Sequence, residues 1–209
     1  MSAGTRRAIL DAAEAAFVLE PYAKVSVASV ADAAHVSVGA VYHHVGDKEG
    51  LRVAVAAQIV ERAIEECVRP ALLAAGTPTD RLIRAAVAYV EFFSERPALF
   101  TLAQVTPVEV GESVHARRLA RSLRTRVSGL VRELGGIVEE GQRHGEIRRG
   151  CPAALVLELS AFLVGLSTLS EWPSSAARRA AGPAGVGSFV EAHLRTALAP
   201  AMEPERAPA

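Results

Sequence analysis

The chain has 209 residues, half of them hydrophobic and 22% charged, which excludes wholesale disorder and leaves enough apolar mass for a sizeable core. Lys plus Arg and Asp plus Glu are 23 each, so a nucleic-acid partner would have to be held by a local surface and not by global charge. The two cysteines, Cys67 and Cys151, exclude a disulfide framework or a Cys-rich zinc site and suit a reducing cytoplasm.

Aromatic residues make up only 5%, and an apolar fraction dominated by Ala, Leu and Val favours helices. Arg6-Arg7 followed by Ala8–Leu19 has the outline of a signal peptide, but Asp11 and Glu14 interrupt the run and its apolar residues share one helical face. Ala153–Trp172 carries only Glu158 and Glu171 as charges. With Ser160, Ser167, Thr168 and Ser170 it reads as a helix buried in protein, not lipid. The expectation is a soluble, cytoplasmic protein with no membrane contact.

In chain order, Thr5–Leu19 places Ile9, Leu10, Ala13, Ala16 and Phe17 at helical spacing, with Pro21 as a stop. Ser26 caps a short second helix whose inward stripe is Val27, Val30, Ala31 and Ala34. His35 sits in the turn. Ser37 caps a third helix to about His44, with Val36 and Val41 spaced as a hydrophobic staple. Asp47 caps a fourth helix reaching about Val68, ended by Pro70 and Gly76-Thr77-Pro78. Thr79 or Asp80 opens a fifth, with Leu82, Ile83, Ala86, Val87, Val90 and Phe93 inward, and a short helix follows over Ala98–Gln104. A long helix spans Ser113 to about His144, weakened or bent at Gly135-Gly136. Pro152 opens an apolar helix to about Glu171, Ser174–Gly187 reads as a mobile loop, and Ser188–Leu198 is the last helix. No repeat and no strand pattern is evident, so the fold class is all-α.

Three short helices, the second and third joined by a tight turn, make a helix-turn-helix pattern. Val41 and Val45 hold the third helix inward, while Val38, Gly39, Ala40, His43 and His44 lie opposite. Small residues let the axis approach a groove floor, a Val or Ala methyl packs on a thymine methyl, and an imidazole donates to a base or a phosphate. Ser26, Val27 and Ser37 stand at helix N-termini, where backbone N–H groups favour anions. The Tyr42 hydroxyl and Lys48 suit phosphates.

Arg7–Ala13, Phe17, the run Ser26–His44 and Asp47-Lys48-Glu49-Gly50-Leu51 together resemble the DNA-binding domain of the TetR (tetracycline-repressor) family. The resemblance implies an N-terminal three-helix DNA-binding domain and a larger helical effector-binding and dimerisation domain, about nine helices in total. The implied division is 1–51 (helix-turn-helix 26–45), 52–200, and a disordered tail over 201–209. It also implies a homodimer on a palindromic double-stranded operator, released by a small-molecule effector. Ser37–His44 would be the recognition helix, with Val38, Ala40 and His43 facing bases and Tyr42 and Lys48 clamping phosphates. Four positions depart from the family pattern: His35 and Pro21 stand where glycines are usual, Val45 where a phenylalanine is usual, and Val38 where Lys or Arg is common.

Residues 1–52 hold five basic side chains (Arg6, Arg7, Lys24, Lys48, Arg52) against six acidic ones (Asp11, Glu14, Glu20, Asp32, Asp47, Glu49), a balance of −1. Affinity must therefore depend on where the cations sit. The cluster Arg117, Arg118, Arg121, Arg124 and Arg126 reads first as a solvated face, with an anionic effector or DNA as the alternatives. Tyr89, Phe92, Phe93, Phe100, Phe162 and Trp172 are the candidates for lining a mostly apolar effector pocket. A dimer contact is expected from the last two helices through Leu159, Leu163, Leu166, Val190, Leu194 and Leu198. His43-His44 lack an acidic or Cys partner at metal-ligand spacing, so neither a metal nor a cofactor is expected. With no Gly-rich loop, Walker lysine or nucleophile elbow, a non-enzymatic regulator leads. The competing readings are a helical protein-interaction adaptor with a vestigial DNA head and a small helical enzyme.

Overall fold

The computed structural model describes residues 3–104, 113–170 and 185–200. All regular elements among them are helical: α1 Ala3–Leu19, α2 Val27–Ala33, α3 Val38–Val45, α4 Lys48–Arg62, a π-helical stretch Ala63–Val68, α5 Arg69–Leu73, α6 Pro78–Ser94, α7 Pro97–Ala103, α8 Val114–Arg143, α9 Pro152–Ser170 and α10 Gly185–Leu198. The chain forms two compact units, one of 1–64 with 96–128 and one of 65–95 with 129–209. The first unit is thus larger than the three-helix head, because α4, α7 and the first half of α8 belong to it.

The run after Asp47 is not the single α-helix expected to Val68. Pro70 lacks the N–H that an α-helix would direct at the Glu66 carbonyl, and its ring crowds that carbonyl; the wider π turn just before it accommodates both problems. Pro70 consequently stands in the first turn of α5 and does not end a helix. Thr77, not Thr79 or Asp80, caps α6, its hydroxyl accepting from Asp80 N–H at 3.2 Å. Gly135 and Gly136 leave α8 unbroken over its 30 residues. Gly185–Gly187, expected in a loop, form the first turn of α10; residues 174–184 of that loop, Glu171, Trp172 and the tail 201–209 lie outside the described residues.

In the first unit Ile9, Leu10, Ala13 and Phe17 of α1, Val30 and Ala31 of α2 and Val41 and Val45 of α3 are buried, as their helical spacing requires. The α2–α3 turn is a Schellman closure: Val36 N–H donates to Ala31 O at 3.0 Å and His35 N–H to Asp32 O at 3.1 Å. That geometry puts His35 at φ 56°, the one non-glycine residue with positive φ among those described.

In the second unit Val68, Leu72, Leu82, Ile137, Val138, Ile147, Leu155, Val156 and Leu198 form one core cluster. Ile83, Ala86, Val90, Leu166, Val190 and Leu194 form a second. These clusters hold the residues expected at a dimer contact. Leu166, Val190, Leu194 and Leu198 are buried within their own chain, and Leu159 and Leu163 are half-buried against the same clusters. The face of α9 left open is the opposite stripe, Ala154, Leu157, Ala161, Val164 and Thr168, with Leu157 70% exposed.

His35→Gly is expected to relieve the left-handed turn and stabilise the protein by about 0.5 kcal/mol, a melting rise on the order of 1–2 °C by calorimetry. A lower melting temperature would show that the imidazole contributes more than its backbone costs.

Candidate nucleic-acid interface

The site is built by three caps. Ser26 and Ser29 form a reciprocal capping box at α2: Ser29 N–H donates to Ser26 Oγ at 2.9 Å and Ser26 N–H to Ser29 Oγ at 3.2 Å. Ser37 Oγ accepts from Ala40 N–H at 3.2 Å at the start of α3, which leaves its own O–H to donate outward. Asp47 Oδ1 accepts from Gly50 N–H at 2.7 Å at the start of α4. Gly50 is required there: a Cβ would lie 2.0 Å from the Val45 carbonyl oxygen, so the chain leaving α3 can pass close to α4 only without a side chain.

Seating Val41 and Val45 inward turns Val38, Gly39, Tyr42 and His43 outward together, with Val38 39% and Tyr42 50% exposed. Ala40 is half-buried at the edge of this face, and Ser26 and Ser37 are exposed. Two of the expected contacts are less open than this face. Val27 is buried and fills the core of the head, because it is one of the inward stripe of α2. His44 is half-buried beside Val45, with Nε2 enclosed and without a hydrogen-bond partner among the described residues; its ring meets His43 edge-on at 5.4 Å.

Lys48 is positioned by a residue the sequence reading missed. Its Nζ lies 4.4 Å above the Tyr22 ring and donates to Ala23 O at 3.3 Å, with the Arg52 guanidinium 5.4 Å from the same ring. Tyr22 packs in turn on Phe17 at 5.8 Å, and partial burial raises its hydroxyl above the usual phenol range. An aromatic directly after Pro21 was the available signal, but nothing local ties it to a lysine 26 residues on. Ser113 and His115 were missed as well. Ser113 caps α8 by accepting from Ala116 N–H at 3.1 Å, and it donates to Asp47 Oδ2 at 2.6 Å. His115 lies against Gly46, where a Cβ would fall 2.2 Å from its Cγ.

Of the residues expected to line an effector pocket, Tyr89 and Phe162 both pack on the Ile83–Leu194 cluster. Phe93 meets Tyr89 at 5.0 Å and Phe92 at 4.9 Å, both edge-on, and burial pushes the Tyr89 hydroxyl up to about 12. Phe162 stacks on His193 at 4.1 Å beside a shallow pocket lined by Arg148, Leu155, Glu158 and Leu198. Phe100 is buried in α7 of the first unit, and Trp172 lies outside the described residues. No helix among the described residues is long and apolar enough to cross a membrane, and no group of three or more His, Cys, Asp or Glu among them could hold a metal ion.

Residues 9–55 match the family model of the bacterial regulatory proteins of the tetR family. No curated protein matches the chain. Among solved structures it is similar to the TetR-family regulator PfmR of Thermus thermophilus, at 22% identity and TM-score 0.60 over 91% of this chain and 96% of that one. It is also similar to FadR of Bacillus subtilis, solved in complex with stearoyl-CoA, at 18% identity and TM-score 0.71 over 92% and 98%. A third is a Clostridium perfringens protein described as a fatty acid metabolism regulator, at 19% identity and TM-score 0.66 over 91% and 98%. At these identities the structural likeness speaks for the fold alone. The head carries the matched segment, and its outward face lies on α3 of a capped helix-turn-helix, so the likeness to the tetR family of bacterial regulatory proteins rests on residues 9–55.

Proposed function

We propose that this chain is a tetR-family regulator, a homodimer that binds a palindromic operator through α3 and releases it when an apolar small molecule occupies the second unit. The observation that carries the reading is the outward face of α3. Its Val38, Gly39, Tyr42 and His43 present a methyl, a bare backbone, a phenol and an imidazole, with Ser26, Ser37 and Lys48 around them. A surface helix evolved only for solubility would not expose Val38 and Gly39 beside two aromatic rings. In a major groove each has a partner: a thymine methyl, the groove floor, a phosphate and a base acceptor. Ala40 is assigned to the same set, at its edge. An enzyme reading gains no support from this constellation, and an adaptor reading leaves the α3 face unexplained.

Two half-sites about one helical turn apart require two heads, which is why dimerisation belongs to the function. The contact we assign is the open stripe of α9, Ala154, Leu157, Ala161, Val164 and Thr168, with Gly165 allowing close approach. An apolar stripe on a helix whose other face is already in the core favours pairing with its symmetry mate. Leu157→Arg is expected to yield a folded monomer in sedimentation at micromolar concentration and to lose operator binding; an unchanged dimer removes this face from the account.

For the effector, FadR of Bacillus subtilis suggests a long acyl chain, and the apolar side chains around Tyr89, Phe93 and Phe162 are the ones we assign to it. Release is a population shift. A hundredfold loss of operator affinity, about 3 kcal/mol, requires the effector to prefer the released form by the same factor. The run 48–73 and the unbroken helix α8 each continue from one unit into the other, so a change of helix position in the second unit has covalent routes to the head.

The test is selection of bound fragments from sheared bacterial DNA, followed by titration of long-chain acyl-CoA and free fatty acid against the enriched duplex. The expected result is one enriched palindrome and dissociation by one of the two ligands. Enrichment without release would leave the DNA-binding part standing and remove the acyl effector.

A further inference from the structure

We infer that the exposed arginines opening α8, Arg117 and Arg118 with Arg121 behind them, are a second phosphate-binding surface for the duplex that α3 engages. This rests on the DNA-binding reading above and adds residues to it from far outside the head.

The first half of α8 belongs to the same compact unit as the head and runs alongside α4 in the same direction. Ser113 meets Asp47, His115 meets Gly46, Ala116 and Ala120 share a buried cluster with Val53, and Arg126 pairs with Glu61. Ascending residues on one helix meet ascending residues on the other, so the two N-termini lie side by side, next to Lys48. The inward side of α8 is Ala116, Leu119, Ala120 and Leu123, and small side chains there keep it close to α4. At helical spacing Arg117, Arg118 and Arg121 fall on the opposite side, and all three are exposed.

Side-chain direction then matters. Every Cα–Cβ bond of a helix tilts toward its N-terminus, so long side chains in the first turns of α8 lean toward the end that carries Lys48 and the exit of α3. Arg117 and Arg118 stand four and five residues after the Ser113 cap, about one turn along the axis. Guanidinium forks at that height match phosphate oxygens bidentately.

Charge gives the independent argument. Residues 1–52 sum to −1, a poor surface for a polyanion, whereas 113–128 hold five arginines and no acidic residue. Arg117 and Arg121 stand at i and i+4, and the sequence places no acidic residue between them. This arginine-rich face beside Lys48 supplies a net positive charge that the head itself lacks, where a duplex seated on α3 would need it.

The test uses the full-length protein, the duplex it enriches from a random-sequence pool, and an unrelated duplex of equal length. Arg117→Gln/Arg118→Gln is expected to weaken binding to both duplexes about tenfold near physiological salt. The slope of log affinity against log salt should fall by about two per bound chain, leaving the preference between duplexes unchanged. Arg117→Lys/Arg118→Lys should restore the slope, since a point charge suffices for a phosphate. A glutamine variant with the parent's melting temperature and the parent's slope overturns the proposal and leaves the α3 reading intact. If the double variant does not fold, Arg118→Gln alone is expected to lose about one unit of slope, and an unchanged slope overturns the proposal equally. A parent protein that enriches no duplex ends both readings.

Discussion

The Asp47 carboxylate accepts from Gly50 N–H with one oxygen and from the Ser113 hydroxyl with the other, so the starts of α4 and α8 are held by a single group. Both bonds are charge-assisted, the strongest kind available to a half-buried side chain. Because α3 ends at Gly46, one residue before, the direction in which α3 leaves the head is set by the same corner. Gly50 keeps α4 against the Val45 carbonyl, and His115 closes over Gly46 from α8. The outward face of α3 is therefore oriented by contacts from α4 and α8 and not by its own eight residues, too few to be stable alone.

What that face presents is chemically sparse. It has methyls, a glycine, a phenol and an imidazole, but no Lys or Arg among its outward residues. Such a face can discriminate bases by shape and by single hydrogen bonds while contributing little of the sequence-independent attraction to phosphates. Division of labour follows. On the proposed reading, specificity would sit on α3 and affinity on cations held by other elements, Lys48 braced by Tyr22 among them.

Much of this was legible from spacing. Ser26, Ser37 and Asp47 were recognisable as caps because capping is local, and Val41 and Val45 as core because they recur at helical period. His35 was readable as a turn residue, and the Schellman bonds explain why a left-handed conformation was needed there. Other placements were not legible. Helix α9 is apolar on all sides, so no pattern distinguishes the stripe that meets its own chain, Leu159, Leu163 and Leu166, from the one left open, Leu157, Ala161 and Val164. Val190, Leu194 and Leu198 form a stripe equally consistent with a core or a partner. The contacts Tyr22–Lys48 and Asp47–Ser113 join residues 26 and 66 positions apart, beyond any local signal. The π turn before Pro70 was hidden for a different reason: side-chain propensities barely separate a π from an α turn.

The central claim is that the outward face of α3 reads base pairs, and a change of specificity tests it more directly than a loss of binding. His43→Arg exchanges an imidazole for a fork that pairs with the O6 and N7 of guanine without disturbing the buried side of the helix. Sequence selection with this variant is predicted to return the parent's palindrome altered toward guanine at one position in each half-site. A consensus identical to the parent's at every position would contradict the account, because it would mean that His43 faces no base.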